Sequence, residues 1–495
     1  MAIYKHGASG EVNAVGSRAP IESPVPIVYF GTAPVHTVAL SDGETYPVNK
    51  PVVVHNMAEA KKYFGYSSDW AKYTLCEPMF VHLERKGVGP LVLINVLDPA
   101  THRSGTQGTA SKTPVNGEFT IAEAGDIILD SVVVKAGNTA KVKGTDYTIS
   151  YNSDKELITV KELTSGALGT DALTITYNTV TPSAVTTANF IGATDGLGNN
   201  TGLYSIADVY PLTGMIPAYA AAPGFSSIPA VHAVMAAVTK KINGHWDAWM
   251  FTDIPIVDGS TAITMGTAYT WKTTNGYTCE NEKPNFPLAV DGDGNKYHLS
   301  VLEAANFQEL LIDQDGIPYR SASNTDCPLI TNLYTGEAST AVYDDSIVNE
   351  RLNKNGIASA AYIGGRWALW GAHAGDYDQD NADYINVAET NRMMLYYISN
   401  DFQQRRAVDV DQPLTPNDLK TIASEEQSRL DALVNMGALI YGEVSVNADL
   451  DAQSDILMGD FAFSFNITTT PLAKSLTAIV NWTDEGFVTY FQDAE

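Results

Sequence analysis

Residues 415–446 read TPNDLKTIASEEQSRLDALVNMGALIYGEVSV, and two periodicities meet within them. Thr415 is an N-cap candidate, Pro416 suits the first helical position, and Asp418 falls in the turn that favours negative charge. Leu419, Ile422, Ala423, Leu430, Leu433 and Val434 then repeat at helical spacing, which predicts an amphipathic helix over 415–436. Gly437 supplies the stop. A strand is expected immediately after, over 438–446. A long helix followed directly by strands marks a chain that mixes both, and α+β is the expected class.

Working outward, the reading continues downstream with strands at 461–468 and 476–482. Thr483-Asp484-Glu485-Gly486 turns the chain into a last strand at 487–491. The end, 486–495, is expected to be a strand arm. Upstream, 388–405 and 226–243 suit helices and 246–253 suits a strand. Near the start, Ile27–Gly31, 51–55 and 91–97 read as strands. A short helix over Met57–Phe64 is framed by an Asn56 cap and a Gly65 stop, and a longer, Pro78-interrupted helix is expected over 68–86. Residues 1–26 are punctuated by Gly7, Gly10, Gly16, Pro20, Pro24 and Pro26, so an extended arm is expected there.

Composition shifts at Thr101, where a polar Gly/Thr/Ser-rich stretch reads as a linker. Short strands then alternate with turns at 131–135, 139–143, 146–151, 157–161 and 172–177. Val132 with Val134, and Ile149 with Tyr151, show a period of two. Residues 105–185 are therefore expected to be an inserted β-sandwich or barrel. The α/β core is expected to be discontinuous, over 27–104 and 186–485.

Charge narrows the partners. Thirty Lys and Arg face 57 Asp and Glu, a net −27 on 495 residues, with 44% hydrophobic residues. The hydrophobic content marks a folded chain. The sign disfavours nucleic acid and anionic lipid, since phosphate binding is driven by Lys and Arg. Cys76, Cys279 and Cys327 form no CxxC, so neither an oxidised secreted scaffold nor a structural zinc site is expected. No apolar run reaches the ~18 residues of a membrane helix. A soluble protein in a reducing cytoplasm is the expectation.

The search for catalytic motifs is negative, and no enzyme and no cofactor is expected. There is no GxxxxGK[ST], no GxSxG and no HExxH. Gly192–Gly198 is glycine-rich but lacks the phosphate-binding Lys. Asp291, Asp293 and Asn295 begin like a calcium loop, yet its sixth position is Lys296 and its twelfth is Leu302. Asp376, Asp378 and Asp380 repeat that spacing and fail in the same way, with Asn381 and Val387. Both stretches are read as turns. A carbohydrate-active enzyme with an appended β module stays open, because paired carboxylates are a spatial feature and 25 Tyr and 7 Trp could hold sugars. Another self-assembling shell protein stays open too.

A family resemblance lies in the second half. Residues 317–324, IPYRSASN, resemble the PWxSPSN signature of contractile phage tail sheath proteins, with Ala322 a departure. Arg351-Leu352-Asn353, Gly356-Ile357 and Trp367-Ala368-Leu369-Trp370-Gly371 are similar to the family's LNxxGI and WGxRT run, with His373 near the usual Arg. Residues 414–418 resemble its EPNDxxT start of the late helix. Gly202-Leu203, Ala222-Pro223-Gly224 and Asp253-Ile254-Pro255 resemble earlier landmarks. The resemblance covers about 27–100 and 190–495.

It implies a multidomain sheath subunit with a mixed α/β core, an inserted all-β domain and extended terminal arms. It also implies a helical homo-oligomer around an inner tail tube protein, with baseplate and tail terminator as further partners, in a virion tail assembled in the host cytoplasm. Neither nucleic acid binding nor direct membrane insertion is implied. Arms of such subunits add strands to a neighbour's sheet, which makes Ile3, Tyr4, Val12 and Val15 at one end, and Phe487, Val488, Tyr490 and Phe491 at the other, the expected subunit contacts.

Overall fold

Parallel strands buried on both faces need apolar residues on both, and β1 (Ile21–Gly31) supplies them in the run Ile27-Val28-Tyr29-Phe30. The computed structural model describes residues 21–41, 43–336, 343–381, 383–446, 458–485 and 487. After β1 come β2 (Pro51–Val54), α1 (Met57–Phe64), α2 (Cys76–Pro78) and β3 (Val88–Asn95). Wide helical turns over Met79–Lys86 lie between α2 and β3. The insertion holds β4 (Gly108–Lys112), β5 (Glu118–Ile121), β6 (Val133–Ala136), β7 (Thr139–Ala140), β8 (Tyr147–Asn152), β9 (Leu157–Glu162) and β10 (Leu173–Tyr177). Next come α3 (Thr187–Ile191), α4 (Val209–Thr213), β11 (Tyr219–Ala221), α5 (Pro229–Val238), β12 (Trp249–Asp253) and a hairpin of β13 (Val257–Asp258) and β14 (Thr261–Ala262). Then follow α6 (Ala268–Thr274), β15 (Glu282–Asn285), β16 (Leu288–Val290), β17 (Lys296–His298), α7 (Leu299–Asp313), β18 (Asn332–Tyr334) and α8 (Asp345–Arg351). β19 (Ser359–Ile363), β20 (Arg366–Trp370) and α9 (Glu389–Arg406) end this part.

The main sheet runs β15-β12-β11-β1-β3-β2, parallel except for β2. Ile27, Tyr29, Leu91, Leu93, Trp249 and Phe251 pack into one apolar cluster, together with α7. Val28, Phe30, Val92, Ile94 and Met250 pack into a second, with α3 and α5. The sheet begins earlier than the sequence indicated. Ile21 and Glu22 pair with Val88 and Gly89, so residues 21–26 belong to β1 and not to an arm.

α7 is the central helix, and it has no N-cap of its own. Its start is held by carboxylates from elsewhere in the chain. Asp253 accepts the Ser300 N–H at 3.2 Å and its hydroxyl at 2.5 Å, and Glu77 accepts the His298 N–H at 2.6 Å. Negative groups at a helix N-terminus meet its unpaired N–H groups and its dipole. The His298 ring also donates to Glu77 at 2.6 Å, and this carboxylate, outweighing burial, raises the imidazole to about 9. Further along α7, Gln308 accepts from His82 Nδ1 at 2.7 Å and donates to the Pro90 carbonyl at 2.8 Å. Burial lowers His82 to about 3, so it is neutral; Nδ1 donates, and Nε2 accepts from the Tyr29 hydroxyl at 2.8 Å.

The insertion carries two sheets of its own, β4-β10-β6-β7 and β5-β9-β8. Phe119, Ile121, Val134, Tyr147, Ile158, Val160 and Ile175 fill the space between them. The sequence reading missed β4 and β5, assigning the first to a linker. β4 reads Gly-Thr-Ala-Ser-Lys, an edge strand too polar to signal itself. The chain leaves and returns through a narrow neck: Arg103 bridges Val180, Ser104 N–H donates to the Thr179 carbonyl, and Thr181 N–H to the His102 carbonyl, both at 2.8 Å. The insertion docks through Ile128, which packs into the main apolar cluster, and through polar contacts. Tyr46 donates to Asp130 at 2.9 Å, Tyr73 donates to Asp126 at 3.1 Å, and His36 meets the Gly125 carbonyl at 2.8 Å. Replacing 105–178 by a short glycine turn is expected to leave a folded remainder that is less stable by roughly 2–4 kcal/mol, at ~0.5–1.5 kcal/mol per lost hydrogen bond. Urea unfolding checks this. An insoluble remainder would show instead that the core depends on the insertion.

Residues from Thr415 onward form a separate compact unit. The sequence reading had carried one core to 485. The separation follows from local packing, since α10 (Pro416–Asn435) lies directly on the hairpin of β21 (Leu439–Val446) and β22 (Phe463–Thr469). Thr415 and Asp418 close a reciprocal capping box, and Ile422, Leu430 and Leu433 are buried. Gln427 donates to the Gly442 carbonyl at 2.9 Å and accepts the Val444 N–H at 2.8 Å, tying α10 to β21. A Cβ on Gly442 would lie 2.9 Å from Leu430, so the close approach requires glycine. No helix among the described residues is long and apolar enough to cross a membrane.

Candidate assembly surfaces

The resemblance-bearing residues between 317 and 371 converge on one joint. Ser321, in the loop after α7, donates to Glu389 at the start of α9. Ser323 accepts the Gly371 N–H at 3.0 Å, and Asn324 N–H donates to the Leu369 carbonyl at 2.7 Å. Arg366 donates to the Asn324 side chain at 2.9 Å. Trp367 and Trp370 donate to the Thr331 carbonyl and to Asn349, at 3.1 and 2.9 Å. Gly371 has φ +129°, and a Cβ there would meet the Asn353 side chain at 2.8 Å. Gly356 has φ +64°, and a Cβ would meet the Ala374 carbonyl at 2.7 Å. The signature residues thus brace a loop and the β19–β20 hairpin against each other. His373 stacks on Tyr377 at 3.8 Å, and its Nδ1 meets the Val387 carbonyl at 2.5 Å.

Beneath this joint lies a buried charge cluster. Lys283 of β15 reaches Glu303 of α7 and Glu389 of α9, the latter at 2.8 Å, and all three are buried. Two carboxylates share one ammonium. Burial, outweighing the attraction of Lys283, raises Glu303 to about 7. Lys283 is itself held above its usual value by the two carboxylates, against burial. The cluster joins three elements and the signature loop, and sequence reasoning identified none of its charged members. Glu303 falls in a helix apolar on most sides, and that odd charge was the available signal.

The acidic stretches are turns. Asp291 accepts N–H groups from Asp293 and Asn295, both at 2.9 Å, and the Tyr297 hydroxyl at 2.7 Å. Asp378 accepts the Asp380 N–H at 3.0 Å. Asp195 does the same work in the glycine-rich stretch 192–198, accepting from Leu197 at 2.8 Å. A cavity of about 100 Å³ between the sheet and α9 is lined by Tyr219, Trp249, Met393, Tyr396, Tyr397 and Asp401 among others. It presents one carboxylate, whereas glycoside hydrolysis needs two.

The expected contact residues are placed unevenly. Ile3, Tyr4, Val12, Val15, Val488, Tyr490 and Phe491 lie outside the described residues. Phe487 is described and 59% exposed. The predicted strand at 476–482 is not one. Residues 470–483 have no regular structure. Leu476, Ile479, Val480 and Trp482 are 81–90% exposed. The alternation that suggested a strand is present, but within the subunit these side chains are not buried. Residues 384–387 form a tight helical turn, begun by Asp383 accepting the Ile385 N–H at 3.2 Å.

No protein-family model matches the chain. It is 27% identical over 205 residues to the tail sheath protein of Burkholderia phage BcepMu, covering 39% of this chain and 38% of that one. It is 24% identical over 208 residues to the major tail sheath protein of Serratia phage KSP20, covering 42% and 51%. The matches thus span about half or less of these curated relatives. Among solved structures, a chain of the anti-feeding prophage baseplate superposes with a TM-score of 0.56 at 11% identity, covering 98% of this chain and all of that one. A chain of the contracted PVC sheath complex, from an extracellular contractile injection system, superposes at 0.51 and 10%, covering 98% of each. Over about two-fifths of its length the chain is thus similar in sequence to tail sheath proteins of two phages, and over nearly all of it its fold is similar to chains of the anti-feeding prophage baseplate and of a contractile injection system sheath complex.

Proposed function

We propose that this chain is the structural subunit of a contractile tail sheath. It polymerises helically around an inner tail tube, and contraction drives the tube through the target envelope. The observation that carries the reading is the row of exposed apolar side chains at Leu476, Ile479, Val480 and Trp482 on an irregular tail. Surface of that kind marks a contact with another chain. Added to a neighbour's sheet, the tail gains backbone hydrogen bonds, and its alternate side chains fix the register. Copies related head to tail then build a helix that does not close. The polar face of α10 is the candidate surface toward the tube. The braced joint and buried charge cluster support a subunit that moves as nearly rigid units linked by pliable arms. The role is structural and needs no nucleotide. Baseplate and terminator proteins complete the partner set, and the particle is assembled in a bacterial cytoplasm.

Negative-stain electron microscopy of the purified chain tests the proposal, with tubes as the expected result. At net −27 identical copies repel each other. Salt screens that repulsion, so tubes should form at lower protein concentration as salt rises. Closed shells, flat arrays or a persistent monomer across conditions would overturn the sheath reading. Assembly that weakens steadily with salt would overturn the account of its electrostatics.

A further inference from the structure

At the β15 edge of the main sheet, three donor atoms of different chemistry converge. His232 of α5, Cys279 in the loop before β15 and Glu282 at its start place a nitrogen, a sulfur and an oxygen within 4.8 Å of one another. His232 is 2% exposed and Glu282 is fully buried, so this is not a chance gathering of surface acids. The donors are also oriented. The His232 ring stacks on Tyr277 at 3.8 Å. Glu282 accepts the Cys279 N–H at 2.7 Å on one oxygen, and the Thr252 hydroxyl at 3.2 Å and His232 Nε2 at 2.6 Å on the other. Contacts of this kind are what fix metal ligands in place. Gly375 lies so close that a Cβ there would meet Glu282 Cγ at 2.5 Å, which keeps the carboxylate where it is.

The surroundings favour a cation. One oxygen of Asp376 is buried without a hydrogen-bond partner among the described residues. Lys272, Lys240 and Arg392 are the opposing charges nearby, the first engaged with the Asn355 carbonyl at 2.6 Å and the other two with Glu280 at 3.4 and 3.1 Å.

We propose that His232 Nε2, Cys279 Sγ and a Glu282 carboxylate oxygen bind one divalent transition metal, zinc being the ion that best suits mixed N, S and O donors. Sequence spacing had set zinc aside because no CxxC occurs, but these ligands meet only in space. Ligands on tetrahedral zinc at ~2.0–2.1 Å stand roughly 3.3 Å apart. The His232–Glu282 pair therefore opens by less than about 1 Å as metal replaces the shared proton. The imidazole proton moves from Nε2 to Nδ1, the thiol proton leaves to solvent, and no electron is transferred. Water or Asp376 fills the fourth position. The bound metal would pin α5, on one face of the sheet, to its β15 edge.

The test uses the full chain, stripped with a chelator and titrated with Co²⁺ and then Zn²⁺. One equivalent of Co²⁺ should bind with a thiolate-to-cobalt charge-transfer band in the near ultraviolet, and zinc should displace it. Cys279→Ser changes one atom and should melt like the wild type without metal, lose the band and bind at least about tenfold more weakly. Thr252→Val should weaken binding by ~10–100-fold with the band kept. Stoichiometric binding absent in the wild type, or a band that survives Cys279→Ser, would overturn the proposal.

Discussion

A subunit carrying Ile479→Asp, Val480→Asp and Trp482→Asp is expected to fold, melt as the wild type does and form no tubes. These side chains are 83, 89 and 81% exposed, so the subunit loses no buried contact when they change. Each would contribute ~1.5–3 kcal/mol if buried against a neighbour, and the charges add a cost of desolvation. Critical concentrations from sedimentation, read beside electron micrographs, measure the effect. A second variant that stops after Glu485 asks whether the last ten residues are needed too. Tubes from the triple variant at the wild-type concentration would show that the tail is not an assembly strand.

Replacing Lys283 with Met is expected to cost ~3–5 kcal/mol, the largest loss we expect from one side chain. It leaves Glu303 and Glu389 buried together with no cation. The loss should depend on pH in a definite direction. Glu303 is raised to about 7 in the folded chain, so folding favours its protonated form. The stability linked to it is fully present below the ordinary carboxylate range and is lost as pH rises through about 7. Without Lys283 the Glu303 carboxyl, having lost the cation that draws it down, titrates higher still. The Tm gap between variant and wild type should therefore narrow from pH 8 to pH 5.5. A constant gap would mean that the cluster's protonation does not govern its stability.

Two of the helices legible in the sequence cap themselves, whereas α5 and α9 were legible without a side-chain cap. α1 has Asn56 accepting the Glu59 N–H at 2.9 Å, and α10 has its capping box, and both were legible. α7 was not. It is buried almost all round, so it lacks an amphipathic stripe, and its N-terminus is held by Asp253 and Glu77 from distant segments. β4 was hidden for the opposite reason, being nearly all polar. The strand expected at 476–482 did not form within the subunit, since residues 470–483 have no regular structure and no neighbouring strand to pair with among the described residues. The signature loop's bracing and the charge cluster were not legible, because Ser321 and Glu389 are 68 residues apart.

The neck of the insertion has a practical consequence. Arg103 and Val180 pair as neighbouring antiparallel strands, so the chain departs and re-enters within ~5 Å. Any domain whose own ends lie that close could be grafted there without stretching the host. A filament built from such copies would display one cargo per subunit, at a spacing dictated by the lattice and indifferent to the cargo's sequence.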